Sequence, residues 1–127
     1  DGAVRLPHDP TSAMQSRRML KRGLGSFDLP QRVLDDALIV VSELVGNAVR
    51  HALALADGCI ELVWRLADNR LEIEVADGGP DRERAARPLH AADEAGRGLY
   101  LVSALSEDVV VERQANRSRT RAVLTLR

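Results

Sequence analysis

A chain of 127 residues fits one domain with a single core, and its 45% apolar content can supply that core. Charged residues make up 29% and nearly cancel to a net charge of −1, while aromatics are only 2% (Phe27, Trp64, Tyr100), which argues against direct nucleic-acid binding by charge or by base stacking. Cys59 is the only cysteine, which excludes an internal disulfide or a cysteine-based zinc site; with no membrane-length apolar run and no visible signal peptide, the cytoplasm is the expected compartment and no membrane partner is expected.

Residues 3–6 read as a short strand, and Pro7 to Pro10 as a turn. Thr11 or Ser12 can cap a helix over 11–24 that stops near Gly23 and Gly25. Pro30 suits the first turn of a second helix over 31–54. There Leu34, Leu38, Val41, Val45, Ala48 and Ala52 recur at steps of three and four, which predicts one core face. Residues 59–67 alternate, with Ile60, Leu62, Trp64 and Leu66 on one side. Asp68-Asn69 is a turn, and 70–77 alternate again, so the two strands form a hairpin. Residues 78–95 carry glycines, prolines and charges without a regular period. A helix over 98–106, a strand over 108–113 and a closing strand over 120–126 complete the order. That order predicts an α+β two-layer sandwich, with helices on one face of a mixed, mainly antiparallel sheet.

Four segments carry chemistry. Glu43 and Asn47 stand one helical turn apart, off the core stripe. A carboxylate beside an amide oxygen can hold a water and a hard divalent cation; a solvated helix face reads the same way. Asp77 keeps the parity of Leu71, Ile73 and Val75, so alternation aims it toward the core side at the mouth of a glycine turn. A carboxylate placed there needs a donor, and the exocyclic amine of a base is one; a simple turn cap is the other reading. Gly96-Arg97-Gly98 opens a helix, where backbone N–H groups can approach a phosphate. Thr120 heads the last strand and by itself points to nothing.

Together the segments resemble the GHKL ATPase superfamily. Glu43 to His51 is similar to the N box, Asp77 to Gly79 to the G1 box, and Gly96 to Gly98 to the G2 box. The forms Glu-Leu-Val-Gly-Asn-Ala-Val-Arg-His and Gly-Arg-Gly-Leu most resemble the anti-sigma factor serine kinase branch, from about residue 10 to the C-terminus. The resemblance implies one ATP-binding domain over 1–127, with ATP and Mg²⁺ as cofactors. It implies that Asn47 holds Mg²⁺, that Glu43 is the general base, and that Asp77 accepts from the adenine amine with Gly79 beside it. Gly96, Arg97 and Gly98 would cradle phosphates, Thr120 would lie near the adenine, and residues 80–95 would form an ATP lid. The implied partners are an anti-anti-sigma (STAS-type) protein, phosphorylated on serine or threonine, and a sigma factor; a homodimer is left open. The alternatives are a nucleotide-binding regulatory module without turnover and the catalytic domain of a histidine kinase. Arg17, Arg18, Lys21 and Arg22 form a basic patch on the first helix, read either as a solvated face or as a docking surface for an acidic partner.

Overall fold

The structure is a computed structural model and describes residues 1–81 and 91–126. Its elements run β1 (Gly2–Pro7), α1 (Ser12–Leu24), α2 (Gln31–His51), β2 (Cys59–Ala67), β3 (Arg70–Asp77), α3 (Ala91–Leu105), β4 (Asp108–Gln114) and β5 (Arg117–Thr125). The strands form a five-stranded sheet in the order β1-β2-β3-β5-β4. Every described ladder in it is antiparallel. Helix α2 lies in the middle of the helical layer, between α1, which packs near β1, and α3, which packs near β4 and β5.

Alternation places the strand side chains as expected. Ile60, Leu62 and Trp64 of β2, Leu71, Ile73 and Val75 of β3, and Ala122 and Leu124 of β5 are buried under the helices. The β2–β3 hairpin closes through Asp68 and Asn69, at φ of 52° and 65°. Two consecutive left-handed residues form the two-residue turn whose twist matches that of the strands.

The helices depart from expectation in detail. Thr11 stands at the cap position of α1, but its hydroxyl donates to Asp9 Oδ1 at 2.8 Å and accepts no N–H from the helix. Helix α2 ends at His51, and Ala52 is already extended at φ −123° and ψ 164°. Its buried residues are Val33, Ala37, Val40, Val41, Leu44, Val45, Gly46 and Ala48, while Leu34 and Leu38 are only half-buried. The stripe is wider than a single row because both the sheet and α1 press on the helix. Helix α3 begins at Ala91, seven residues before the expected start at 98. Ala91, Ala92, Glu94 and Ala95 are strong helix formers, and they carry the helix through Gly96 and Gly98. Strand β5 starts at Arg117, so Thr120 lies within the strand and does not head it.

Trp64 fixes the seam between α1 and the sheet. A Cβ at Gly23 would stand 2.5 Å from Trp64 Cζ2, and one at Gly2 would stand 2.2 Å from the same atom. The ring thus occupies space left by two glycines. Gly23→Ala is expected to lower stability by up to about 2 kcal/mol: overpacking a closed contact costs about 1–3 kcal/mol, against the roughly 1 kcal/mol alanine gains inside a helix. The urea midpoint of the variant checks this.

Candidate functional site

The C-terminal half of α2, the ends of β3 and β5, edge strand β4 and α3 enclose a cleft of about 210 Å³. Leu44, Ala48 and Ala52 form an apolar wall, with Asn47 and His51 on the same helix. Asp77, Ser118, Thr120, Val111 and Arg113 approach from the sheet, Leu99 from α3 and Pro80 from the turn after β3.

Backbone pairing holds the turn after β3 against the exit of α2. Gly78 N–H donates to Leu53 O at 2.7 Å, Leu53 N–H to Gly79 O at 2.9 Å, and Asp81 N–H to His51 O at 3.0 Å. A Cβ on Gly78 would lie 2.0 Å from the Ala54 carbonyl oxygen, so only glycine fits. Gly79 has φ +94°, in the region that favours glycine. His8 closes the end of α2. Its Nε2 lies 2.8 Å from Ala52 O and 3.1 Å from Ala48 O; both are acceptors, so this nitrogen carries the proton and donates. The imidazole thereby gives the Ala52 carbonyl a donor at the helix end and adds a second donor to the Ala48 carbonyl, which already accepts from the Ala52 N–H at 3.2 Å.

Asp77 sits where its parity aims it, 9% exposed in the lining of the cleft. Its Oδ1 accepts from the Gly79 N–H at 2.8 Å. The other carboxylate oxygen has no hydrogen-bond partner among the described residues. Burial pushes the Asp77 carboxyl above its ordinary value, opposed by the Gly79 N–H bond and by the charges of Arg113 and His8. The turn-cap reading of Asp77 is thus observed at one oxygen.

Glu43 and Asn47 are half-buried and meet α3 at Gly98. A Cβ at Gly98 would lie 2.8 Å from Glu43 Oε2, 3.3 Å from Asn47 Oδ1 and 3.4 Å from Asn47 Nδ2. Gly98 is therefore the notch that lets both polar side chains lie between two helices. Asn47 Nδ2 is buried with no hydrogen-bond partner among the described residues. Arg50 reaches Asn47 Oδ1 at 3.4 Å, longer than a good hydrogen bond.

The expected phosphate loop takes a different form. Gly96 and Gly98 lie inside α3, where backbone N–H groups are committed to carbonyls four residues earlier. They do not open a helix here. Of the expected lid over 80–95, residues 82–90 lie outside the described residues, and 91–95 belong to α3. The side chain of Arg97 is likewise outside them. Thr120 is half-buried, opposite Val75 of β3 and Val111 of β4, one row inward from Asp77.

The pattern of the histidine kinase-like ATPase domain family matches residues 6–127. The chain belongs to that family. Serine-protein kinase RsbW of Bacillus thuringiensis (strain Al Hakam) is 34% identical over 89 residues, 61% of this chain and 56% of that protein. RsbW of Bacillus anthracis (strain A0248) is 35% identical over the same share of each. The chain thus spans just over half the length of these curated relatives. Among solved structures, the RsbU and RsbW domains of a Mycobacterium tuberculosis protein share the fold at a TM-score of 0.77 and 22% identity, over 98% of this chain and 31% of that one. The SiaB–SiaC complex from Pseudomonas aeruginosa gives 0.70 at 14% identity, over 97% of this chain and 88% of that one.

Family membership bears out the resemblance drawn from the three boxes. The reading of those boxes missed His51, Leu99, Val111, Arg113 and Ser118 as cleft residues. The parity of β4 and β5 was the available signal for Val111, Arg113 and Ser118.

The buried Asp77 carboxyl has a consequence for stability. Its raised folded-state value means that the folded form favours the proton. The stabilisation from that proton is full below the ordinary carboxyl value of 3.8 and is lost as pH rises through the raised value. Asn at this position keeps an acceptor for Gly79 and carries no charge to desolvate. Asp77→Asn is therefore expected to gain stability over the parent between about pH 3 and about pH 7, with the two converging at the acid end. Urea unfolding across that range measures the gap, and a gap that widens toward acid would contradict the sign.

Proposed function

We propose that this domain binds ATP with Mg²⁺ in the cleft, transfers the γ-phosphoryl group to a serine or threonine of an anti-anti-sigma (STAS-type) protein in the cytoplasm, and sequesters a sigma factor. The observation that carries the reading is Asp77, a buried residue in the lining of a cleft that also holds Asn47, whose second oxygen has no hydrogen-bond partner among the described residues. Such an oxygen calls for a donor, and an exocyclic amine is a neutral one that fits between an apolar helix wall and a strand. The kinase names of the curated relatives support the reaction class.

The residues divide the work by position. Asp77 accepts from the base amine, with Gly79 holding the carboxylate in place. Thr120 borders the base on the sheet side. Asn47 presents a hard oxygen donor for Mg²⁺ beside Glu43, and Mg²⁺ is commonly held by one or two such groups together with substrate phosphates. The buried Nδ2 of Asn47 also fits an oxygen-bearing ligand. Bound ATP with Mg²⁺ supplies the phosphoryl group and a charge-neutralised leaving group. Glu43 takes the proton of the attacking hydroxyl as the oxygen–phosphorus bond forms, and ADP carries away the electrons of the broken bond. Gly96, Arg97 and Gly98 serve the phosphates once the first turns of α3 open; two interior glycines lower the cost of opening by about 1 kcal/mol each relative to alanine. The exposed cations Arg17, Arg18, Lys21 and Arg22 on α1 offer a face for an acidic partner.

Titration calorimetry with ATP, with and without Mg²⁺, tests the reading. Tight binding should require Mg²⁺, and Asp77→Asn should weaken it roughly 10–100-fold, the worth of a charged hydrogen bond. A folded Asp77→Asn chain of unchanged affinity would remove Asp77 from the base site. Glu43→Gln should retain nucleotide affinity and lose phosphotransfer by about 10²–10⁴, as measured with labelled ATP and the acceptor protein. Undiminished transfer would show that Glu43 is not the base.

A further inference from the structure

Beyond the three boxes, one charged side chain among the described residues faces the same cleft. Arg113 is the partner of Ser118 in the β4–β5 ladder, and Ser118 is the partner of Asp77 in the β3–β5 ladder. The three residues form one transverse row across three strands. Neighbouring strands stand about 4.8 Å apart, so the backbones at Asp77 and Arg113 are separated by roughly 10 Å. A short carboxylate at one end and a long guanidinium at the other leave the small Ser118 side chain as floor between them. All three line the cleft.

Arg113 differs from its neighbours on the last two strands. Arg117 pairs with Glu61 at 3.3 Å, and Arg119 with Glu112 at 3.8 Å, both on the sheet face away from the helices. Arg113 lies at the opposite parity from Glu112 and has no ion-pair or hydrogen-bond partner among the described residues. It is exposed at the cleft mouth, and its charge acts on the buried carboxylate across the row. A guanidinium offers only donors. On a purine, the amino group that a carboxylate accepts from is flanked by ring nitrogens that are acceptors.

We propose that Arg113 is a specificity-determining residue of the nucleotide site: its guanidinium donates to a ring nitrogen next to the amino group that Asp77 accepts from, so that β3 and β4 together read one edge of the base. This rests on the nucleotide reading above and adds a second base contact from outside the family's boxes. It also assigns the row a division of labour. Asp77 selects a donor on the base, Arg113 selects an acceptor, and Ser118 leaves space between them.

The test is calorimetry on the whole chain with Mg²⁺ and three probes: ATP, 1-deaza-ATP and 7-deaza-ATP. Each analogue keeps the amino group and loses one flanking ring acceptor. The unsubstituted chain is expected to bind one of the two analogues about tenfold or more weakly than ATP. Arg113→Met keeps the length and removes the donors. It should bind ATP about tenfold more weakly and lose its preference for ATP over that analogue. Arg113 is exposed on an edge strand, so the variant is expected to fold, and its thermal melt checks this. Arg113→Met that binds ATP like the parent overturns the proposal. So does a variant that weakens ATP and both analogues equally, which would place Arg113 on the phosphates. Failure of the unsubstituted chain to bind ATP would instead overturn the nucleotide reading, and this inference with it.

Discussion

The contact on which the site depends is between two backbones. The turn after β3 lies against the chain leaving α2 so closely that Gly78 meets the Ala54 carbonyl with no room for a side chain. Three hydrogen bonds join Gly78, Gly79 and Asp81 to Leu53 and His51. The contact stops α2 from continuing beyond His51, because the carbonyls and amides there are already committed across the gap. It also sets the height of Asp77 relative to Asn47, one turn before the helix end. The strand contributes the carboxylate, the helix the amide, and a glycine joins them.

A second glycine performs the matching task on the other wall. Gly98 lets α3 approach α2 over the side chains of Glu43 and Asn47. Polar groups between two packed helices are costly unless partnered, and Asn47 Nδ2 has no partner among the described residues. Asp77 is in similar tension, since its carboxylate is buried beyond what one Gly79 N–H bond and distant positive charges offset. On the proposed function, both groups gain from an incoming ligand that supplies a donor to Asp77 and oxygens to Asn47. This is a common trade at binding sites, where local stability is lower in the empty form and recovered on binding.

Much of this was legible because it is local. The faces of β2, β3 and β5 follow from alternation, and the hairpin turn follows from Asp68-Asn69, since both depend only on chain neighbours. The parity of Asp77 belongs to the same class. The start of α3 was misplaced because Gly96 and Gly98 read as the opening of a helix, whereas Ala91, Ala92, Glu94 and Ala95 initiate it earlier. Leu34 and Leu38 pack against the core only partly buried, and Val33, Ala37 and Val40 are buried beside them, because periodicity assumes one packing partner and this helix has the sheet on one side and a helix on each flank. Arg113 carries no local sequence signal, because its place in the cleft follows from the register of β4 on β5.

The sequence by itself determined the order of elements, the side of the sheet each strand residue faces and the three glycine-marked boxes, because these follow from φ/ψ preference and from the spacing of apolar residues along the chain. The tertiary structure alone decided that Gly98 touches Glu43 and Asn47, that His8 caps α2, and that Asp77, Ser118 and Arg113 share one row. Those contacts join residues far apart in the chain. They are set by strand register and by how closely two backbones can approach, and neither quantity is encoded in any short stretch of residues.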